Sequence, residues 1–230
     1  MAAAIDVVPL PLAEVTFPPS HPLAGNDGVV NGFLIRHPDA FILVDTGIGV
    51  GSDVIDAAYQ PRRKGLEEAL SALGTMLEDI DAVVNTHLHF DHCGGNGGLP
   101  SLPIYVQQAE YEVFTRPGYT VTRWVDVTAN YETRSGDFHL LPGVEVLSTP
   151  GHTQGHQSIL IETPEGPVLI AGQAVYSKAE YQHIRTHGTL LQDDPPPDPE
   201  AYLASALRLI EIAPVRVYFS HDRLVWTTQS

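Results

Sequence analysis

The chain has 230 residues, 43% of them apolar, with 12 Lys and Arg against 28 Asp and Glu and a formal net charge of -16. That length and apolar share suit one folded domain over residues 1–230 with a sizeable core, and argue against disorder. The negative field repels phosphate backbones and anionic membranes, so nucleic acid and membrane surfaces are poor partners and a small-molecule substrate is a compatible one.

The N-terminal MAAAIDVVPLPLAEV lacks a basic stretch followed by a long apolar run, so no signal peptide is read. No run approaches the roughly 20 apolar residues of a membrane span, and a soluble cytoplasmic protein is the expectation. Residues 5–17 read as extended. Residues 33–36 and 41–45 predict a hairpin around His37-Pro38-Asp39. Leu66, Ala69, Leu70 and Leu73 recur at helical spacing within 64–75. Residues 80–85 predict a buried strand that ends at a histidine cluster. A short strand follows at 104–107, then a helical turn over 108–115.

The second half echoes the first. A strand over 144–148 leads to Pro150-Gly151-His152, and 158–162 with 168–171 predict a hairpin around Thr163-Pro164-Glu165-Gly166. The hairpins end in Asp45-Thr46-Gly47 and in Gly172-Gln173, which suggests two similar halves packed together with chemistry where strand ends converge. Residues 192–200 (QDDPPPDPE) form a breaker-rich loop. A helix follows from 199 to 212, with Ala201, Leu203, Leu207 and Ile210 as its expected inner face. A last strand over 215–219 delivers Ser220-His221-Asp222. Strands alternating with helices indicate an α/β architecture of sheets covered by helices.

His87, His89, Asp91 and His92 lie within six residues directly after an apolar run. Imidazole suits zinc, and a carboxylate adds a hard oxygen and negative charge. Residues two apart on an extended segment point the same way, so His87 and His89 can grip one ion. Asp91 and His92 lie beyond it and can serve a second ion about 3.5–4 Å away, the spacing of two-metal hydrolases. A surface cluster that merely collects adventitious metal is the weaker reading of so specific an arrangement.

Thr86-His87-Leu88-His89-Phe90-Asp91-His92 followed by Gly94-Gly95 resembles the signature of the metallo-β-lactamase superfamily. The resemblance continues through Asp45-Thr46-Gly47, Pro150-Gly151-His152-Thr153, Ala171-Gly172-Gln173 and Ser220-His221, in the family's order. It implies a four-layer αββα sandwich. It also implies that His87, His89 and His152 hold a first metal and Asp91, His92 and His221 a second. Asp45 would orient a ligand histidine from behind. His156 is read as hydrogen bonding within the His152 loop. One position departs from the pattern. The family usually carries an aspartate after Ala171-Gly172, bridging the two metals, and this chain carries Gln173. An amide is neutral and offers one acceptor oxygen. The expectation is a weak second site or a one-metal protein, unless Gln173 coordinates through its oxygen.

A bound dication lowers the pKa of its water from about 15.7 towards 7, and the hydroxide attacks a carbonyl or phosphoryl centre. Asp91 would orient it and carry its proton to the leaving group. Tyr176 matches the offset at which the family's quorum-quenching lactonases carry a tyrosine that contacts the lactone, although packing at a sheet edge is an equal reading. These residues favour a metallo-hydrolase acting on a lactone or ester, with zinc as cofactor and iron or manganese as alternatives. A phosphotriesterase or arylesterase is the runner-up, and a non-catalytic metal-stabilised binding protein stays open because of Gln173. Cys93 permits no intramolecular disulfide and reads as a buried filler. His183, Arg185 and His187 read as exposed loop residues. Phe90 and Trp124 read as either cleft wall or core.

Overall fold

A computed structural model of the chain describes residues 5–21, 23–99, 101–124, 129–191 and 196–228. In chain order the first half contains β1 (Asp6–Thr16), β2 (Asp27–His37), β3 (Ala40–Val44), α1 (Asp53–Tyr59), β4 (Arg62–Arg63), α2 (Leu66–Ser71), β5 (Ala82–Val84), β6 (Ile104–Gln107), α3 (Gln108–Tyr111) and β7 (Tyr131–Arg134). The second contains β8 (Phe138–Leu141), β9 (Val144–Ser148), β10 (Gln157–Thr163), β11 (Gly166–Ile170), α4 (Lys178–His187), α5 (Pro199–Glu211), β12 (Arg216–Tyr218) and β13 (Trp226–Thr227). The strands form two sheets, ordered β4-β1-β2-β3-β5-β6-β7 and β13-β12-β11-β10-β9-β8. In both, an antiparallel hairpin abuts a parallel strand: β2–β3 beside β5, and β10–β11 beside β12.

Alternation along the strands builds four layers. Phe33, Ile35, Ile42, Val44 and Val84 of the first sheet meet Val146, Ile159, Ile161, Val168 and Ile170 of the second. The intervening Leu34, Leu43 and Val83 face the other way and pack with Ala69 and Leu70 of α2. Leu160, Leu169 and Val217 likewise turn from the sheet interface to Tyr181 and Ile184 of α4 and Ala206 and Leu209 of α5. Strands covered on both faces read as continuous apolar runs. Each buried Ile or Leu contributes roughly 1.5–3 kcal/mol of transfer free energy. The result is the helix–sheet–sheet–helix sandwich.

Several elements differ from their predicted form. The helix expected over 64–75 spans only Leu66–Ser71, and a turn over 72–74 that ends on Gly74, at φ +69°, closes it. The fully buried face of α5 is Tyr202, Ser205, Ala206 and Leu209; the expected Leu203, Leu207 and Ile210 flank it, half-buried and packed on the same core. A Cβ on Gly151 would meet the Tyr202 backbone at 2.3 Å, so α5 packs closely there on the loop that carries His152. Residues 178–187 form a helix, not a loop. Ser177 caps its N-terminus by accepting from Glu180 N, and Gly188 ends it in the left-handed conformation. His187 is exposed and His183 half-buried on that helix, and the Arg185 guanidinium lies 5.0 Å from the Trp226 ring centroid. Residues 192–195 of the breaker-rich loop lie outside the described residues. Among the described residues no helix is long and apolar enough to cross a membrane.

Candidate metal centre

The strand ends converge at one edge of the sandwich. Asp45 follows β3, residues 85–92 follow β5, His152 lies between β9 and β10, Gln173 follows β11 and His221 follows β12. Parallel strands end their backbone pairing in register, so loops after β3, β5, β11 and β12 emerge together.

There, six donors form two trios, His87–His89–His152 and Asp91–His92–His221. Within each trio the ligand-capable atoms lie within 4.8 Å of one another. His89 Nδ1 is 3.0 Å from His87 Nε2 and 3.1 Å from His152 Nε2. His92 Nε2 is 3.3 Å from His221 Nε2, and Asp91 Oδ2 lies 3.8 and 3.6 Å from those two nitrogens. Four-coordinate zinc with bonds of about 2.0–2.1 Å to nitrogen needs donors about 3.3 Å apart, and these spacings are close to it. The donor set therefore fits metal ions, borderline nitrogen in the first trio and mixed nitrogen and oxygen in the second.

Buried groups set the orientation of each ligand. Asp45 holds a positive φ of 59°, a conformation few residues other than glycine tolerate, and its carboxylate points across the loop after β5. It accepts from Thr86 N at 2.7 Å and Thr86 Oγ1 at 2.8 Å, and lies 2.7 Å from His92 Nδ1. His92 Nδ1 thus keeps its proton and Nε2 faces the second trio. His221 Nδ1 donates to the carbonyl of Val29 at 2.9 Å, with the same effect on its Nε2. Asn31 Nδ2 donates to the carbonyls of Phe219 and Asp222 and so ties the His221 turn to β2. The His92 carbonyl accepts from Thr46 N and Asn85 Nδ2, which fixes the histidine loop itself.

Burial, reinforced by neighbouring imidazoles, holds His87 and His152 well below the ordinary histidine range. They are neutral and retain the lone pairs a metal needs. Burial also opposes charge on His92, but the Asp45 and Asp91 carboxylates outweigh it and raise that imidazole to about 9. A metal at Nε2 must therefore displace a proton from His92. Asp91 is held below the usual carboxylate range against its burial, by His92 and His221.

His156 lies behind the first trio. Its Nδ1 bonds to Thr149, and its Nε2 accepts from Gln173 N at 2.9 Å. Burial pushes it down to about 3, so it stays neutral. A Cβ on Gly172, at φ +61°, would meet His156 Nε2 at 2.7 Å, so only glycine lets the chain pass there. Gln173 is 8% exposed and lines the cleft beside His152 and His221. Tyr176 stacks on His221, with centroids 4.9 Å apart. Together with Phe17, Tyr59 and Phe90, Tyr176 walls a cleft of about 180 Å³ whose floor includes His89, Asp91, His152 and His221. A larger cavity, about 400 Å³, lies beside β1 and β4 and includes none of the six donors, so size alone does not locate the chemistry. Phe90 is cleft wall. Trp124 is core: it is buried, and its Nε1 donates to Val50 O. Cys93 is buried with its thiol pushed up to about 12 by burial, a filler rather than a ligand.

The model of the metallo-β-lactamase superfamily matches residues 25–221. The chain belongs to the metallo-β-lactamase superfamily. It is 35% identical over 207 residues to an N-acyl homoserine lactonase from Bacillus sp, covering 83% of this chain and 80% of the relative. It superposes on a solved N-acyl homoserine lactone hydrolase with N-hexanoyl-L-homoserine at its catalytic metal centre, with TM-score 0.76, 28% identity, and coverage of 97% of this chain and 95% of that one. AidC, a dizinc quorum-quenching lactonase, shares the fold at 18% identity and TM-score 0.66, covering 88% of this chain and 76% of its own.

In this superfamily member, sequence reasoning misses Glu110, Thr86, Asn31 and Asn85. Glu110, Thr86 and Asn31 act through hydrogen bonds across long sequence separations, and Asn85 holds the His92 carbonyl from seven positions away.

Proposed function

We propose that the chain is a metal-dependent hydrolase that opens N-acyl homoserine lactones. What carries the reading is the pair of donor trios, four of whose six residues line a cleft walled by Phe17, Tyr59, Phe90 and Tyr176. His87, His89 and His152 hold one ion, and Asp91, His92 and His221 hold a second. The imidazole-rich set favours zinc over iron or manganese. When bound, the ions supply Lewis acidity and an activated water.

The chain's own groups do the rest. Asp45 and the Val29 carbonyl hold Nδ1 of His92 and His221 and aim each Nε2 at the second ion, for which His92 must give up its Nε2 proton. Asp91, its side chain 16% exposed to the cleft, takes the proton of the attacking water and returns it to the leaving alkoxide. One C–O bond forms at the carbonyl, the ring ester C–O bond breaks, and the product is a hydroxy acid. Tyr176 positions its phenol beside the lactone carbonyl while its ring stays on His221. A cleft of about 180 Å³ takes the lactone head, and Phe17, Tyr59 and Phe90 receive the start of the acyl chain.

The test is proton release during incubation of the zinc-loaded protein with an acyl homoserine lactone. Chelator-sensitive turnover that collapses in His87→Ala supports the reading. Turnover of a phosphotriester or aryl ester alone replaces the substrate class. Gln173 favours a second reading, a metal-stabilised binding protein. That reading prevails where no lactone, ester or phosphotriester turns over and chelation still lowers the melting temperature.

A further inference from the structure

Glu110 is fully buried on α3 and forms no salt bridge among the described residues. A carboxylate taken out of water is costly unless its oxygens are satisfied, and here both are. Oε1 accepts from Leu88 N at 2.8 Å and from the Tyr119 hydroxyl, and Oε2 accepts from Thr153 Oγ1 at 2.7 Å. Leu88 is the residue between His87 and His89, and Thr153 directly follows His152. One side chain therefore grips both loops that carry the first trio. A second observation points the same way. A Cβ on Gly155 would lie 2.2 Å from Glu110 N, so the His152 loop is pressed onto α3 at the point where Glu110 begins. Tyr119, held by Glu110, also packs against His89, with ring centroids 5.0 Å apart.

We infer that Glu110 is a positioning residue for the first metal site, clamping the His87–His89 segment and the His152 loop at the separation that lets three imidazole nitrogens meet one ion. The inference rests on the metal-binding reading above. Without the clamp the Leu88 and Thr153 contacts that fix the spacing of the two loops are lost, so the ion must do more to assemble its own site. Partners of this kind change metal affinity by about 10–100-fold when removed.

The test uses cobalt(II), whose visible absorption reports coordination geometry. Thr153→Val deletes the Oε2 donor while leaving Glu110 in place, and Thr153→Ser restores it. Glu110→Gln removes the charge and sets an amide N–H against a donor. Cobalt affinity is measured by chelator competition, and melting temperature is measured on chelated protein. The expected result is an affinity loss of about 10–100-fold in Thr153→Val with an altered cobalt spectrum, and recovery of both in Thr153→Ser. Glu110→Gln shows at least the same loss where it folds. Unchanged cobalt affinity and spectrum in Thr153→Val, with only the chelated melting temperature lowered, reduces Glu110 to ordinary packing and overturns the inference. A wild-type chain that binds no cobalt overturns the metal reading itself, and the clamp with it.

Discussion

The Asp45 carboxylate lies 2.7 Å from Nδ1 of His92, so one nitrogen of that imidazole is committed before any metal is bound. The same carboxylate accepts twice from Thr86, and both residues are almost wholly buried. Asp45→Asn keeps the shape but places an amide N–H against either Thr86 or His92. Second-trio metal affinity is expected to fall by about 10–100-fold. Leaving buried donors unsatisfied is expected to cost about 1–3 kcal/mol of stability. Metal titration and chelated urea unfolding separate the two effects. An unchanged second-site affinity would show that His92 needs no such partner.

Gln173 is expected to decide how many ions the chain keeps. It is buried against the cleft, and its neutral side chain adds no negative charge where a second dication would sit. After exhaustive dialysis the wild-type protein is expected to retain about one tightly held ion. Gln173→Asp is expected to retain two, because a carboxylate restored as a ligand shifts affinity by at least the ~10–100-fold of an outer-shell change. Metal analysis of both dialysed proteins checks this, and two ions in the wild type would sink it.

Legibility in the sequence follows distance along the chain. His87, His89, Asp91 and His92 are readable because four donors crowd into six residues. His152 lies 63 positions beyond His89 and His221 lies 129 beyond His92, so only the resemblance to a family ties them to the cluster. Glu110 is invisible because nothing local separates it from the exposed Glu112, until folding sets Leu88 and Thr153 on either side. The central strands are readable from apolar runs such as residues 41–44. The α5 face is only partly so: Leu203, Leu207 and Ile210 follow the helical period, but tertiary packing buries Tyr202, Ser205, Ala206 and Leu209 more fully. The helix over 178–187 carries Ser177 and Glu180 at capping spacing, but its polar, histidine-rich composition conceals it.

Acid stability depends on a contact far from the metal centre. Arg208 of α5 bonds to both carboxylate oxygens of Asp137, just before β8, and Ser148 N donates to Asp137 Oδ1 at 2.9 Å. The Arg208 hydrogen bond, against the opposing effect of burial, holds the Asp137 carboxyl below the ordinary carboxylate range. A depressed folded pKa gives stability that is present above the unfolded value of about 3.9 and is lost as pH falls through the folded one. Both side chains are over a third exposed, so the contribution is about 1 kcal/mol or less. In chelated protein, the gap in urea stability between wild type and Asp137→Asn should be full at neutral pH and close below pH ~4. A gap that widens in acid would contradict the assignment.

Tyr176 separates wall from chemistry. Its ring stacks on His221 at an interplanar angle of 24°, a contact phenylalanine can reproduce. Tyr176→Phe therefore removes the hydroxyl and leaves the cleft wall standing. A hydroxyl that hydrogen-bonds the reacting ester mainly in the transition state contributes about 1 kcal/mol, so kcat should fall by roughly 5–10-fold with little change in KM. Tyr176→Ala removes the wall as well and should also raise KM, most for the shortest acyl chains, which have least contact elsewhere. Steady-state kinetics over a series of chain lengths distinguishes the cases. A Tyr176→Phe variant with wild-type kcat and raised KM would place the phenol in ground-state binding, and one with both constants unchanged would leave the ring as wall alone.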